Sequence, residues 1–195
     1  MTRKLASLLL AAGAVLPAAS LPVPVPPKQF AVMAWGGAPS DPEHLRGMKE
    51  AGLNIAGFCK ADDLERVRAA GLTCFVTDPR VNGYDWMKLP PEAEIRKNIT
   101  SLQQQVGSNP AVMGFYLRDE PSANLMPGMG KVSAILHEAM PDKWPYVNLF
   151  PYRVPADRLG TDNYDDYVRM LVKTIGQPFL SYDNYSLVGG QMLDF

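Results

Sequence analysis

A chain of 195 residues with 47% hydrophobic and 20% charged side chains can close a core, and its charge is too low for a disordered chain. Nineteen Lys and Arg against twenty Asp and Glu leave a net charge of -1 with no block of one sign, which argues against nucleic acid as a partner. Eighteen prolines and sixteen glycines punctuate the apolar runs, no solenoid-length repeat occurs, and no run reaches the roughly 18 apolar residues of a membrane span.

Met1-Thr-Arg-Lys4 is a short basic start, and residues 5–16 are an apolar Ala/Leu-rich run of signal-peptide length. Small residues at Ala18 and Ser20 complete the pattern of a signal peptide over 1–20, followed by a Pro-rich extended leader over 21–29. The mature chain is therefore expected to be secreted or periplasmic, with no integral membrane segment. That compartment would allow a Cys59–Cys74 disulfide, although their apolar surroundings favour two buried free thiols in neighbouring strands. These cysteines with His44 and His137 match no zinc spacing, so no metal is expected.

From residue 30 onward, short β-rich runs alternate with amphipathic stretches, the pattern of βα units on a parallel sheet. A first strand is predicted over 30–35. A helix over 42–51 follows, opened by Asp41, stopped by Gly52 and apolar at Leu45 and Met48. Strand 53–58, helix 62–71 with Leu64 and Val67 inward, and strand 72–77 repeat the unit. A loop through Arg80, Asn82, Tyr84 and Trp86 leads to helix 92–106, whose Ile95, Ile99, Leu102 and Val106 share one face. Strand 111–117, helix 130–140, strand 146–149, helix 165–175 and strand 179–182 complete the series.

Six strand-first units fit either an open doubly wound sheet or a barrel. The first strand-helix turn, Trp35-Gly-Gly-Ala-Pro-Ser-Asp41, holds neither G-x-G-x-x-G nor a P-loop, which favours an α/β fold of the (β/α)8 TIM-barrel type. A whole barrel takes about 250 residues. Residues 30–195 are accordingly read as a partial TIM-barrel catalytic domain, truncated after about six units.

Barrel chemistry sits at the C-terminal ends of the strands. The residues there are Trp35 and Gly36, Lys60, Asp78 and Arg80, Arg118, Asp119 and Glu120, Asn148, and then Tyr182, Asp183, Asn184 and Tyr185. Rings that stack on sugar faces, with carboxylates and amides for the hydroxyls, suit a carbohydrate partner. Trp35, Arg118, Asp119, Asn148, Tyr182, Asp183 and Tyr185 are the candidate substrate contacts.

The sharpest stretch, Gly114-Phe-Tyr-Leu-Arg-Asp-Glu-Pro-Ser122, runs a strand into two carboxylates and a proline. It resembles the strand-four motif of the retaining glycoside hydrolases with (β/α)8 barrels, and is similar to secreted bacterial members near the family 42 β-galactosidases. Ser181-Tyr-Asp-Asn-Tyr185 resembles their strand-six segment. The resemblance implies that Glu120 is the acid/base and that Asp119, in place of the family's asparagine, contacts a sugar hydroxyl and helps raise the Glu120 pKa. It also implies a glycoside hydrolase of β-galactosidase or related type acting on oligo- or polysaccharide, with no metal or organic cofactor. The family's nucleophile is a second glutamate closing a seventh strand, and this chain is expected to cover strands one to six only. Retaining pairs stand about 5 to 5.5 Å apart, and neighbours on an extended strand splay to opposite faces, so Asp119 and Glu120 are not expected to be that pair. The alternative is a non-catalytic, secreted carbohydrate-binding or remnant barrel; the oligomeric state is left open.

Overall fold

The computed structural model describes residues 30–185 and the backbone of 187–188 and 191–192. The predicted signal peptide and leader lie outside the described residues. Four parallel strands, β1 (Ile55–Cys59), β2 (Thr73–Val76), β3 (Val112–Asp119) and β4 (Trp144–Asn148), pair in chain order.

The predicted outer strands are present as parallel neighbours without a full ladder. On the β1 side, Met33 bridges Ile55 and Gly37 bridges Phe58, with Phe58 N–H donating to Gly36 O at 2.9 Å and Ala38 N–H to Phe58 O at 2.8 Å. The ladder breaks because β1 is bulged at Gly57, whose φ of 97° only glycine adopts readily. A Cβ there would stand 2.6 Å from Gly36 O and 2.7 Å from Ala34 O, so glycine also permits the close approach of the two segments. On the β4 side, Tyr182 bridges Leu149, with Leu149 N–H donating to Ser181 O at 2.8 Å and Asp183 N–H to Leu149 O at 3.2 Å. Beyond it lies an antiparallel pair that periodicity did not suggest, β5 (Leu187–Val188) and β6 (Gln191–Met192).

The helices are α1 (Pro42–Glu50), α2 (Leu64–Ala69), α3 (Pro79–Asn82), α4 (Glu92–Val106), α5 (Met126–Ala139), α6 (Ala156–Leu159) and α7 (Tyr164–Ile175). Asp41 caps α1 by accepting from Glu43 N–H, and Pro42 supplies a first-turn residue that needs no donor. Asn163 caps α7 through Asp166 N–H, and Gly176 ends it in the left-handed conformation at φ 71°. The predicted helix 62–71 is shorter, because Ala61–Asp63 form a 3-10 turn ahead of α2. The segment read as a loop after β2 contains α3, nucleated by Asp78, which accepts from Arg80 N–H.

Two separate clusters decide between the architectures that the strand count left open. The larger one joins every helix to one face of the sheet, through Leu45, Val67, Val81, Ile99, Leu136, Leu159 and Leu171 against Val76, Phe115, Leu117 and Val147. The second holds Ile55, Phe58, Phe75, Met113, Trp144 and Tyr146, with Met33, Tyr116 and Phe179 against it, and among the described residues no helical one enters it. A doubly wound sheet carries helices on both faces, whereas a barrel fills its inner face with strand side chains alone. Chain-order pairing with one helix-covered face therefore makes the fold TIM-barrel-like.

Cys59 and Cys74 are free, buried among the helix-facing residues. The neighbouring Cys59 thiol and burial together hold Cys74 protonated, far above the ordinary thiol range. No helix among the described residues is long and apolar enough to cross a membrane.

Candidate active site

All six parallel segments end on the same edge of the sheet, which brings residues distant in sequence together. At its centre Asn148, the last residue of β4, is 2% exposed and opposite Asp119 in register. Its amide nitrogen donates to Asp119 Oδ1 at 3.0 Å and to Asp183 Oδ1 at 2.8 Å. Its Oδ1 accepts from Ser181 Oγ at 2.7 Å, and Ser181 Oγ lies 2.8 Å from the Tyr146 hydroxyl. Only this orientation of the amide is consistent, since the reverse would turn an oxygen lone pair on two carboxylates. Asp183 completes its shell with Oδ2, which accepts from the Tyr185 hydroxyl at 3.1 Å.

Glu120 enters the same cluster by an unusual backbone route. It is the one described non-glycine residue with positive φ, at 41°. Its N–H donates to Asn148 O at 2.8 Å, which anchors the turn to β4. The following carbonyl, Pro121 O, accepts from the fully buried Tyr167 hydroxyl of α7 at 2.7 Å. Such strain persists where surrounding contacts over-determine it, and it concentrates at functional sites. The turn also corrects the expected splay of Asp119 and Glu120 to opposite faces: regular extension stops at Asp119, and both carboxyls face the cluster around Asp183.

Burial raises the Glu120 pKa above the ordinary glutamate value, and the adjoining Asp183 carboxyl and then Asp119 add to it, against Arg158. Asp119 thus contributes in the expected direction but less than Asp183. The Tyr146 hydroxyl is also pushed up, by burial above all and against the hydrogen bond with Ser181. Burial pushes Tyr116 up to about 12.

Beneath this polar rim is an aromatic floor. Tyr146 packs with ring centroids 4.6 Å from Phe75, 5.5 Å from Phe58 and 5.4 Å from Phe179, and Phe58 stacks 4.0 Å from Tyr116. Tyr146 therefore joins the floor to the rim through its hydroxyl. Trp35 stands at the top of the floor, edge-on to Phe58 at 5.2 Å and 52% exposed. Tyr182 and Tyr185 are likewise more than half exposed.

Of the predicted site residues, Asp119, Glu120, Asn148, Asp183 and Tyr185 converge in one network. Trp35 adjoins its aromatic floor, while Arg118 and Tyr182 are exposed at its border. Two strand-end residues, Asp78 and Arg80, have structural work. Asp78 and Arg80 form an ion pair at 2.7 Å that Ser101 and Gln105 extend, and Lys60 precedes the 3-10 turn. Trp86 is buried, packed edge-on to Tyr84. Ser181, Tyr146 and Tyr167 were not singled out. Tyr146 lies two residues before Asn148, so the period of a strand puts it on the same face; Tyr167 carried no such signal. A groove of about 840 Å³ lies on the helix side between α4, α5 and the 86–90 loop. Its Arg96 is held by Glu92 and Glu138, and it is remote from the carboxylates.

The fold and this strand-end cluster place the chain among TIM-barrel-like proteins with an acidic, aromatic-floored mouth. Solved structures that superpose on it carry glycosidase names. The β-galactosidase from Rahnella sp. R3 aligns over 89% of this chain and 42% of its own, with a TM-score of 0.59 and 11% identity. The β-1,4-D-mannanase from Cryptopygus antarcticus aligns over 84% of this chain and 68% of its own, at 0.56 and 12%. The intracellular xylanase from Thermoanaerobacterium saccharolyticum aligns over 80% and 64%, at 0.51 and 13%. At these identities the likeness is one of fold, and this chain spans less than half of the β-galactosidase. No family profile and no curated protein sequence matches the chain.

Proposed function

We propose that this chain is the catalytic barrel, or the larger part of one, of a secreted or periplasmic glycoside hydrolase in which Glu120 is the general acid/base. The observation that carries the reading is Glu120 itself: a carboxyl with raised pKa, on a strained turn closing a parallel strand, above an aromatic floor. Glycoside cleavage needs a protonated carboxyl at the leaving oxygen, and the environment of Glu120 shifts that group toward its protonated form. Trp35 offers an exposed ring for a sugar face, and Asp119, with one oxygen free of Asn148, offers an acceptor for a hydroxyl.

The route is retaining double displacement. Glu120 protonates the departing oxygen while a second carboxylate takes the anomeric carbon, and the Glu120 carboxylate then deprotonates the water that releases the sugar. The second carboxylate is assigned by resemblance to a seventh strand, outside the described residues. The fold relatives' names motivate a panel of β-linked aryl galactosides, mannosides and xylosides. Hydrolysis of one of these by a form of the protein that carries the seventh-strand glutamate, with retained anomeric configuration by proton NMR and a loss of about 10²- to 10⁴-fold in Glu120→Gln, is expected. Turnover unchanged in Glu120→Gln would overturn the assignment, and sugar binding without turnover would favour the carbohydrate-binding alternative.

A further inference from the structure

The exposed aromatic rings of this chain are unevenly placed. Among the described residues Phe30, Trp35, Tyr152, Tyr182 and Tyr185 are more than half exposed, and none of them lies on a helix. All but Phe30 belong to segments at the sheet edge that carries the carboxylates. Tyr152, four residues past Asn148, has no part in the network around that amide. We propose that Tyr152 and Arg158 form a second sugar subsite beside Glu120, on the side away from Trp35, so that the mouth takes a glycan chain extending past the acid in both directions. The proposal rests on the reading of the mouth as a glycosidase site and adds the residues that hold the sugar beyond the cleaved bond.

Strand order gives the direction. Trp35 precedes β1, Glu120 follows β3 and Tyr152 follows β4, so a ligand laid across the strand ends from Trp35 meets Glu120 before it meets Tyr152. The loop that carries Tyr152 is also tied to the acid-bearing turn. The Tyr167 hydroxyl donates to Pro121 O at 2.7 Å and accepts from Phe150 N–H at 3.4 Å, which joins the residue after Glu120 to a residue two before Tyr152. The same turn seats α6: Ser122 Oγ donates to Leu159 O at 3.4 Å, and a Cβ on Gly160 would collide with that hydroxyl. Arg158 therefore stands on a helix end packed against the residues that follow Glu120.

From this anchor the rings step outward. Phe150 lies 6.1 Å from Tyr167, Tyr167 lies 5.8 Å from Tyr164, and Tyr164 lies 5.4 Å from Tyr152. Tyr167 is fully buried, Tyr164 is half-buried and Tyr152 is 59% exposed, so the series runs from the core to the surface of the mouth. Tyr164 is fixed by its hydroxyl, which donates to Phe150 O at 2.7 Å, and its ring plane stands at 77° to that of Tyr152. An edge contact of this kind braces Tyr152 and leaves it a ring face to stack on the apolar face of a sugar. Arg158 supplies the polar complement. Its guanidinium lies 4.9 Å over the Phe150 ring, and among the described residues no ion pair holds it, so its N–H groups remain for sugar hydroxyls.

The test is isothermal titration calorimetry on the full chain in its Glu120→Gln form, which leaves bound sugar uncleaved. The probes are β-1,4-linked oligosaccharides of two to six galactose, mannose or xylose units. For the sugar that binds, Kd should fall by about tenfold or more from the disaccharide to the tetrasaccharide. Tyr152→Ala should abolish that gain and leave the disaccharide affinity unchanged, and Tyr152→Phe, which keeps the ring, should retain it. Arg158→Ala should reduce the gain, whereas Trp35→Ala should weaken every length alike. Tyr152 and Arg158 are both exposed, so these variants should melt with their parent. An affinity independent of chain length, or a gain that both Tyr152→Ala and Arg158→Ala leave intact, overturns the inference and leaves the glycosidase reading standing on Glu120. If none of the oligosaccharides binds, the glycosidase reading fails and the subsite fails with it.

Discussion

Removing one hydroxyl from α7 should loosen the acid-bearing turn. Tyr167 is fully buried, and its hydroxyl donates to Pro121 O at 2.7 Å while accepting a longer bond from Phe150 N–H at 3.4 Å. Pro121 is itself buried and follows the positive-φ residue Glu120. In Tyr167→Phe the ring remains, but a buried carbonyl loses its donor, at a cost of about 1–3 kcal/mol. For a chain of this size each kcal/mol lowers the melting temperature by about 2–4 °C, so a drop of about 2–12 °C is expected. Tyr164→Phe is the matched comparison: its hydroxyl donates to Phe150 O at 2.7 Å, but the residue is only partly buried and water can replace it. Its loss should be about 1 kcal/mol or less. Thermal melting by circular dichroism of the three proteins at equal concentration reads the difference. A Tyr167→Phe protein that melts with the wild type, or above Tyr164→Phe, would refute the argument that α7 holds the strained turn.

Other outcomes follow from the same geometry. Because the folded pKa of Glu120 is raised, the native state keeps a proton that the unfolded chain releases, and stability contributed by this group falls as pH rises through that window. Glu120→Gln should therefore melt above the wild type at neutral pH and together with it near pH 4 or below; coincident melting at both would contradict the sign. Gly57→Ala places a Cβ against two backbone carbonyls at positive φ and should cost about 2–4 kcal/mol in urea unfolding. Gly47→Ala in α1, with open space around it, should instead gain up to about 1 kcal/mol. Trp35→Ala removes a half-exposed ring; it should weaken binding of the cleaved sugar by about tenfold, raising KM more than it lowers kcat.

What the sequence made legible was periodicity and the sharp strand-to-carboxylate junction. The stripe Ile95, Ile99, Leu102 and Val106 marked α4 at both ends, and Leu117-Arg-Asp-Glu-Pro121 marked where β3 stops. α5 begins four residues before its predicted start, and Gly128 and Gly130 lie in its first turns. Packing explains them: a Cβ on Gly128 would collide with the Trp86 backbone, and one on Gly130 would lie 2.7 Å from Thr174 O of α7. Local propensity carries no information about a helix-helix approach that only the tertiary fold creates. Asn148 was a candidate from its place at a strand end, but its role as bridge between Asp119 and Asp183 depends on the register of three segments. The expected splay of Asp119 and Glu120 failed for a related reason. A two-residue period holds only while the backbone stays extended, and the left-handed turn at Glu120 is fixed by Asn148 O and Tyr167 from elsewhere in the chain.

The account stands or falls on Glu120 as the proton donor to a departing sugar oxygen, and the leaving-group dependence of kcat/KM tests this most directly. In a series of aryl glycosides of the hydrolysed sugar, the wild type should respond weakly to leaving-group pKa, because the acid supplies the proton. Glu120→Gln should fall steeply as that pKa rises, losing about 10²-fold or more on alkyl-like leaving groups and little on dinitrophenolate, which needs no proton. Parallel slopes for the two proteins would contradict it.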